Sequence, residues 1–143
     1  MSTTVELKDY TDKILSSFER KTNVFLLEVK DSIASQASLN SPVDTGGLSR
    51  SFLTDSFVDK KEKIAYIGSS LKYSIYQELG TGEYALEGNG RKGGWTYKSN
   101  KDGKFYHTRG IKPQRILYQA LLTKKPLITS QAKKILGTVN KNG

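Results

Sequence analysis

Ser41-Pro42-Val43-Asp44-Thr45-Gly46-Gly47-Leu48 divides the chain in two, with one long helical pattern before it and short strand and loop patterns after it. Pro42 has no backbone N–H and biases Ser41 toward extended geometry, so a helix arriving from the N-terminal side stops here. Asp44 and Thr45 carry side chains that bond nearby backbone amides, and Gly46 and Gly47 admit positive φ values. The stretch reads as a tight, self-capped corner, and the fold depends on what lies to either side of it.

Working back from the corner, Ile14, Leu15, Phe18, Phe25, Val29, Ile33 and Ala37 fall on one helical face, with Thr22 on the same line. The spacing predicts one helix from Asp9 to Leu39, capped at its start by Asp9 or Thr11, with Lys13, Glu19, Lys30 and Asp31 on the opposite face. Leu26 and Leu27 beside Phe25 widen the apolar stripe at mid-helix. A helix of this length exceeds what a small sheet covers, which points to a deeper core or to a neighbouring subunit.

Working forward, Phe52, Phe57 and Val58, then Asp59-Lys60-Lys61-Glu62-Lys63, then Ile64-Ala65-Tyr66-Ile67-Gly68 predict an antiparallel hairpin around a polar turn. Tyr73, Tyr76 and Leu79 recur every three residues, as in a short helix closed by Gly80, and Gly80-Thr81-Gly82 releases the chain into a loop. Residues 80–110 hold eight of the 13 glycines. Within them Trp95-Thr96-Tyr97-Lys98 and Lys104-Phe105-Tyr106-His107 flank Ser99-Asn100-Lys101-Asp102-Gly103, which predicts a second hairpin. The segment from Tyr84 to Gly94 has too little apolar content to fold by itself and is expected to order on a partner. Pro113 suits the first position of a C-terminal helix whose apolar face is Ile116, Leu117, Ala120 and Leu121. Pro126 is expected to break or kink that helix before Leu127, Ile128, Ala132, Ile135 and Leu136 resume its face as far as Gly137.

The expected class is α+β: a small antiparallel sheet packed by a long N-terminal helix and a C-terminal helix, with an extended Gly-rich basic loop and hairpin. One domain is expected over 1–143, with the helix at 1–40, hairpin and short helix at 41–82, basic loop and hairpin at 83–110 and the kinked helix at 111–143. A hydrophobic fraction of 36% and a mean hydropathy of −0.53 imply a thin core or long stretches that meet partners. With no cysteine and one histidine, disulfides and thiolate metal sites are excluded, and neither metal nor cofactor is expected. No basic-then-apolar leader opens the chain and no window approaches the roughly 18 apolar residues of a membrane span, so a soluble protein made in a cytoplasm is expected.

The net charge of +9 is unevenly placed. Residues 1–40 and 41–83 each carry five basic and six acidic side chains, leaving thirteen basic and two acidic in residues 84–143. Such asymmetry implies contact with phosphate or with an acidic protein surface. Gly80-Thr81-Gly82 lacks the Gly-Lys-Ser/Thr ending of a P-loop and the third glycine of a dinucleotide fingerprint. His107, with Tyr106, Arg109 and Lys104, resembles a proton-transfer cluster of a small ribonuclease, but Glu87 and Asp102 are the only acids of that half and neither is an evident second proton-transfer partner. Trp95, Tyr97, Phe105 and Tyr106, interleaved with Lys98, Lys101 and Lys104, match either base stacking with phosphate grip or simple strand packing.

Three stretches carry a resemblance: the corner itself, Tyr73-Ser74-Ile75-Tyr76-Gln77-Glu78-Leu79-Gly80-Thr81-Gly82, and Arg109-Gly110-Ile111-Lys112-Pro113-Gln114-Arg115-Ile116-Leu117-Tyr118-Gln119-Ala120-Leu121. In this order they resemble the gene-product-ten-like tail-completion or neck family of long-tailed bacteriophages. The family pattern runs Pro-x-Asp-Thr-Gly-x-Leu, then Tyr-x-x-Phe/Leu-Gly-Thr, then Pro-x-x-Phe-Leu-x-x-Ala-Leu. Gly47 stands where the family usually has Arg or Lys, Ile116 where it usually has Phe, and the Gly-rich region 83–108 is longer than in many members.

The resemblance implies a structural virion protein without catalysis, forming a ring in the neck between the capsid portal and the tail. Its motif residues here are Pro42, Asp44, Thr45, Gly46, Leu48, Tyr76, Gly80, Thr81, Gly82, Pro113 and Leu117. The implied partners are copies of itself in a ring, sixfold or else twelvefold, the adjoining head-closure or connector and tail-terminator or tube proteins, and packaged double-stranded DNA, with no membrane. DNA or partner contact would fall to Arg91, Lys92, Lys98, Lys101, Lys104 and Arg109. The place would be the virion neck, after assembly in the host cytoplasm. The alternative is a stand-alone basic nucleic-acid-binding protein, with ribonuclease chemistry on His107 and Arg109.

Overall fold

A computed structural model describes residues 2–42 and 46–142, with side chains described for 11–42 and 46–135. The fold is α+β. In chain order come helix α1 (Ser2–Asn40), helix α2 (Gly47–Asp55), strands β1 (Phe57–Asp59) and β2 (Ile64–Tyr66), helix α3 (Tyr73–Leu79), a 3-10 turn (Gly82–Tyr84), strands β3 (Trp95–Lys98) and β4 (Phe105–Thr108), and helix α4 (Ile116–Asn142). The strands form two separate antiparallel pairs, with Phe57 opposite Tyr66 in the first and Tyr97 opposite Tyr106 in the second.

The long helix begins at Ser2, seven residues before Asp9, so neither Asp9 nor Thr11 caps it. Nothing between Ser2 and Lys8 stops a helix, and extending an existing one fixes a single residue for each hydrogen bond gained. Its C-terminal half supplies Ile33 and Ala37 to the core, α2 supplies Leu48 and Phe52, and α4 supplies Ile116 and Ala120. Ala34, Ala37 and Ala120 are small and buried, which lets the three helix backbones approach closely. Phe52 and Ile116 are the largest fully buried side chains, each worth about 1.5–3 kcal/mol of transfer free energy.

Helix α2 replaces the start of the first expected strand. Leu48, Ser51 and Phe52 fall at i, i+3 and i+4 and are buried, so Phe52 belongs to a helical period and not to the strand containing Phe57. Serines fasten this corner: Ser38 Oγ lies 2.6 Å from Ser49 Oγ across α1 and α2, Ser41 Oγ donates to the Ala37 carbonyl at 2.7 Å, and Ser56 Oγ donates to Phe52 O at 2.6 Å. Gly46 sits at φ 75° as the residue before α2. Asp44 and Thr45 lie outside the described residues.

Helix α4 starts at Ile116, three residues after Pro113, and continues through Pro126 and past Gly137 to Asn142. Pro126 leaves the Leu122 carbonyl without its intrahelical donor, but Leu122 and Pro126 are both solvent-exposed, so water can take the bond and the helix is not broken.

Candidate nucleic-acid and assembly interface

The second and third resemblance stretches meet at the start of α4. Helix α3 ends at Gly80, whose φ of 77° only glycine adopts readily and whose N–H donates to Tyr76 O at 2.8 Å. A β-carbon at Gly80 would stand 2.9 Å from Pro113 Cδ and from the Tyr84 and Ile111 carbonyl oxygens. Pro113 therefore packs on Gly80, ahead of the helix, instead of opening it. Thr81 N donates to Ile111 O and Ile111 N donates to Thr81 Oγ1, both at 2.9 Å, while Gln114 N donates to Gln77 O at 2.7 Å.

Glu78 completes this junction. Its carboxylate accepts the N–H groups of Leu117 (2.8 Å) and Tyr118 (3.1 Å), two of the donors that the first turn of α4 cannot satisfy internally. An N-cap thus comes from 39 residues away in sequence. Arg115, the residue before α4, has φ 51°, and its guanidinium stacks over the Tyr118 ring at 4.2 Å with Nε 3.9 Å from Glu78 Oε1. A carboxylate in the last turn of a short helix opposes that helix's dipole, so Glu78 did carry a sequence signal for an outside partner. Arg115 carried none.

The basic arm, residues 88–110, hangs from a backbone junction. Gly82, Gly90 and Gly110 approach one another so closely that a β-carbon at Gly82 would overlap the Arg109 carbonyl, one at Gly90 the Gly82 carbonyl, and one at Gly110 the Thr81 carbonyl. Glu83 N donates to Arg109 O at 2.9 Å and Leu86 N to Leu79 O at 2.9 Å. These contacts give the segment from Tyr84 to Gly94 a defined course within the single chain, where apolar content alone pointed to ordering by a partner.

On the arm, Lys92, Lys98, Lys101 and Lys104 are exposed, and Arg91 lies over the Trp95 ring at 5.7 Å. Arg109 is drawn aside by Glu83, whose Oε2 is 3.7 Å from Nη1 and whose Oε1 accepts the Gly93 N–H at 3.0 Å. His107 Nδ1 is 3.5 Å from Thr96 Oγ1, and no hydrogen bond joins His107 to Glu83. In the turn, Asp102 accepts the Tyr106 hydroxyl at 2.5 Å and the Lys104 N–H at 3.0 Å; the first of these bonds is the main reason its carboxyl sits below the usual range and the Tyr106 phenol above its own. Phe105 on one face of the hairpin is 72% exposed, and Tyr97 and Tyr106 on the other are also exposed.

The corner and the arm are neighbours. Pro42, Gly46 and Leu48 border a cavity of about 690 Å³ with Tyr73, Gln77 and the turn residues Asn100 and Lys101. Leu48 is buried and Leu117 packs partly buried against the core, whereas Tyr76 is 52% exposed beside Ile75 and Leu86. Among the described residues no group of three metal-ligating side chains exists, and no helix is long and apolar enough to cross a membrane. Comparisons with protein-family models, with curated proteins and with solved structures return no match.

Proposed function

We propose that this chain is a structural subunit of a tailed-phage neck, forming a ring between the DNA-filled head and the tail. The observation that carries the reading is the amount of large apolar surface the single chain leaves uncovered at two separate places. Leu15 and Phe18 are exposed on one face of α1, and Ile75, Tyr76 and Leu86 are exposed around α3. Monomeric proteins rarely leave such surface bare. Two different patches suit head-to-tail contact between copies, which closes into a ring when the rotation per subunit allows it. Sixfold symmetry is the first expectation and twelvefold the second.

The junction around Gly80, Glu78 and Pro113 supports the reading in a second way, because it gives the motif residues Gly80, Thr81, Pro113 and Leu117 of the second and third stretches one shared task, seating α4 against α3. The arm then carries Arg91, Lys92, Lys98, Lys101 and Lys104 toward DNA in the lumen, in contacts with phosphate that are indifferent to sequence. Cross-linking of assembled particles, read by electrophoresis and by electron microscopy of the neck, is the test. Ladders of this subunit up to a closed ring are expected. Finding it only as isolated single copies, or absent from the particle, would overturn the proposal.

A further inference from the structure

Helix α4 differs from α1 in a way that the arm does not explain. Ile116–Asn142 contains Lys124, Lys125, Lys133, Lys134 and Lys141 and not one Asp or Glu, whereas Ser2–Asn40 contains six acids. On the side of α4 turned away from the core, Lys125, Thr129 and Lys133 recur one turn apart, about 6 Å between neighbours. Leu122, Pro126 and Ser130 form the adjacent row. The six line a shallow groove of about 530 Å³, and all are exposed. None of the ion pairs among the described residues engages Lys125 or Lys133.

We infer that this outer face of α4 is a binding surface for the phosphate backbone of duplex DNA, separate from the arm and independent of whether the chain forms a ring. Two ammonium groups two turns apart, with a hydroxyl between them, present donors at intervals that suit consecutive phosphates of one strand. Lysines and Ser/Thr hydroxyls are the side chains that hold phosphate oxygens without reading bases. The wall made by Leu122 and Pro126 offers an apolar strip for the sugar edge. Glu28 of α1 borders the other side of α4 beside Lys134, but no acid lines the outer groove, so charge complementarity there favours a polyanion.

The test uses the purified full chain and a fluorescent 20-base-pair duplex, with affinity measured by anisotropy between 50 and 200 mM salt. Replacing Lys125 and Lys133 together by Gln is expected to reduce the log–log salt slope by about 1.8, so that the unaltered chain loses about twelvefold more affinity than the variant over that range. Lys60→Gln with Lys61→Gln, in the exposed turn between β1 and β2, removes the same charge elsewhere and should leave the slope close to that of the unaltered chain. Three results would overturn the inference: no duplex binding at 50 mM salt, equal slopes for the α4 variant and the unaltered chain, or polyglutamate of matched charge binding as tightly as the duplex. Circular dichroism of the α4 variant checks that the helix persists. A chain that binds DNA this way but never joins a neck would leave the inference standing while removing the neck proposal.

Discussion

Glu78 joins two helices through a single side chain. Its carboxylate satisfies two amides of α4, and it sits beside Arg115, whose left-handed backbone costs a non-glycine residue about 1–2 kcal/mol. Glu78→Ala is expected to lower unfolding free energy by about 1–2 kcal/mol, because the half-buried Leu117 N–H and the exposed Tyr118 N–H lose their acceptor and Arg115 loses its counter-charge. Urea titration checks this, and a variant as stable as the parent would show that the cap contributes nothing. Asp55 offers a pH readout at the same scale. The Ser70 N–H (2.9 Å), then the Ser70 hydroxyl (2.8 Å), hold its carboxyl below the ordinary range. A carboxyl whose pKa is depressed by folding contributes stability above its unfolded value, about 3.9, and loses it as pH falls through the lower folded value. The advantage of the parent over Asp55→Asn should therefore be full at neutral pH and shrink below about pH 4. A pH-independent difference would mean that the serine bonds do not tune this group.

Elements that rest on local chemistry were legible in the sequence, and those that rest on distant backbone were not. The two hairpins, α3 and its Gly80 stop follow from strand-prone runs, a three-residue repeat and turn residues, each set confined to fourteen positions or fewer. Helix α2 was hidden because Phe52 stands five residues from Phe57 and joins either pattern equally well. The cap by Glu78 and the packing of Gly110 on Thr81 and Gly82 join segments about 30–40 residues apart, whose pairing no window reveals. The glycines make the arm's root testable. Gly110→Ala must displace the Thr81 carbonyl and should destabilise the arm by more than 2 kcal/mol, whereas Gly88→Ala meets nothing within 4 Å and costs only its left-handed φ, about 1 kcal/mol. Hydrogen exchange of the Glu83 amide reads the difference; equal effects would show that the junction is loose. Changing Arg91, Lys92, Lys98, Lys101 and Lys104 to Gln touches no buried face, so the altered chain should fold and still build necks, but those necks should retain DNA poorly. Necks that fail to form at all would make the arm a protein contact.

At the scale of the whole molecule, the core occupies one end and the apolar stripe of α1 continues beyond it. Ile33 and Ala37 are buried under α2 and α4, yet Leu15, about five turns toward the N-terminus on the same face, is 57% exposed, and Phe18 is 41% exposed. The stripe was readable from its spacing, but spacing cannot say whether the cover belongs to this chain or to another. Substitution separates the two. Replacing Leu15 and Phe18 together by Ser removes little that is buried in the single chain, so its unfolding free energy should change by less than about 1 kcal/mol, as exposed positions do. If a neighbouring copy covers the stripe, the same change removes most of two apolar anchors from the contact and should abolish the cross-linked ladder while leaving a folded monomer. Loss of more than about 2 kcal/mol in the isolated chain, with assembly intact, would assign the cover to the chain's own C-terminal helix instead. The pairing of the two measurements matters: a folded chain that no longer assembles is the one result that only an intersubunit role for α1 explains.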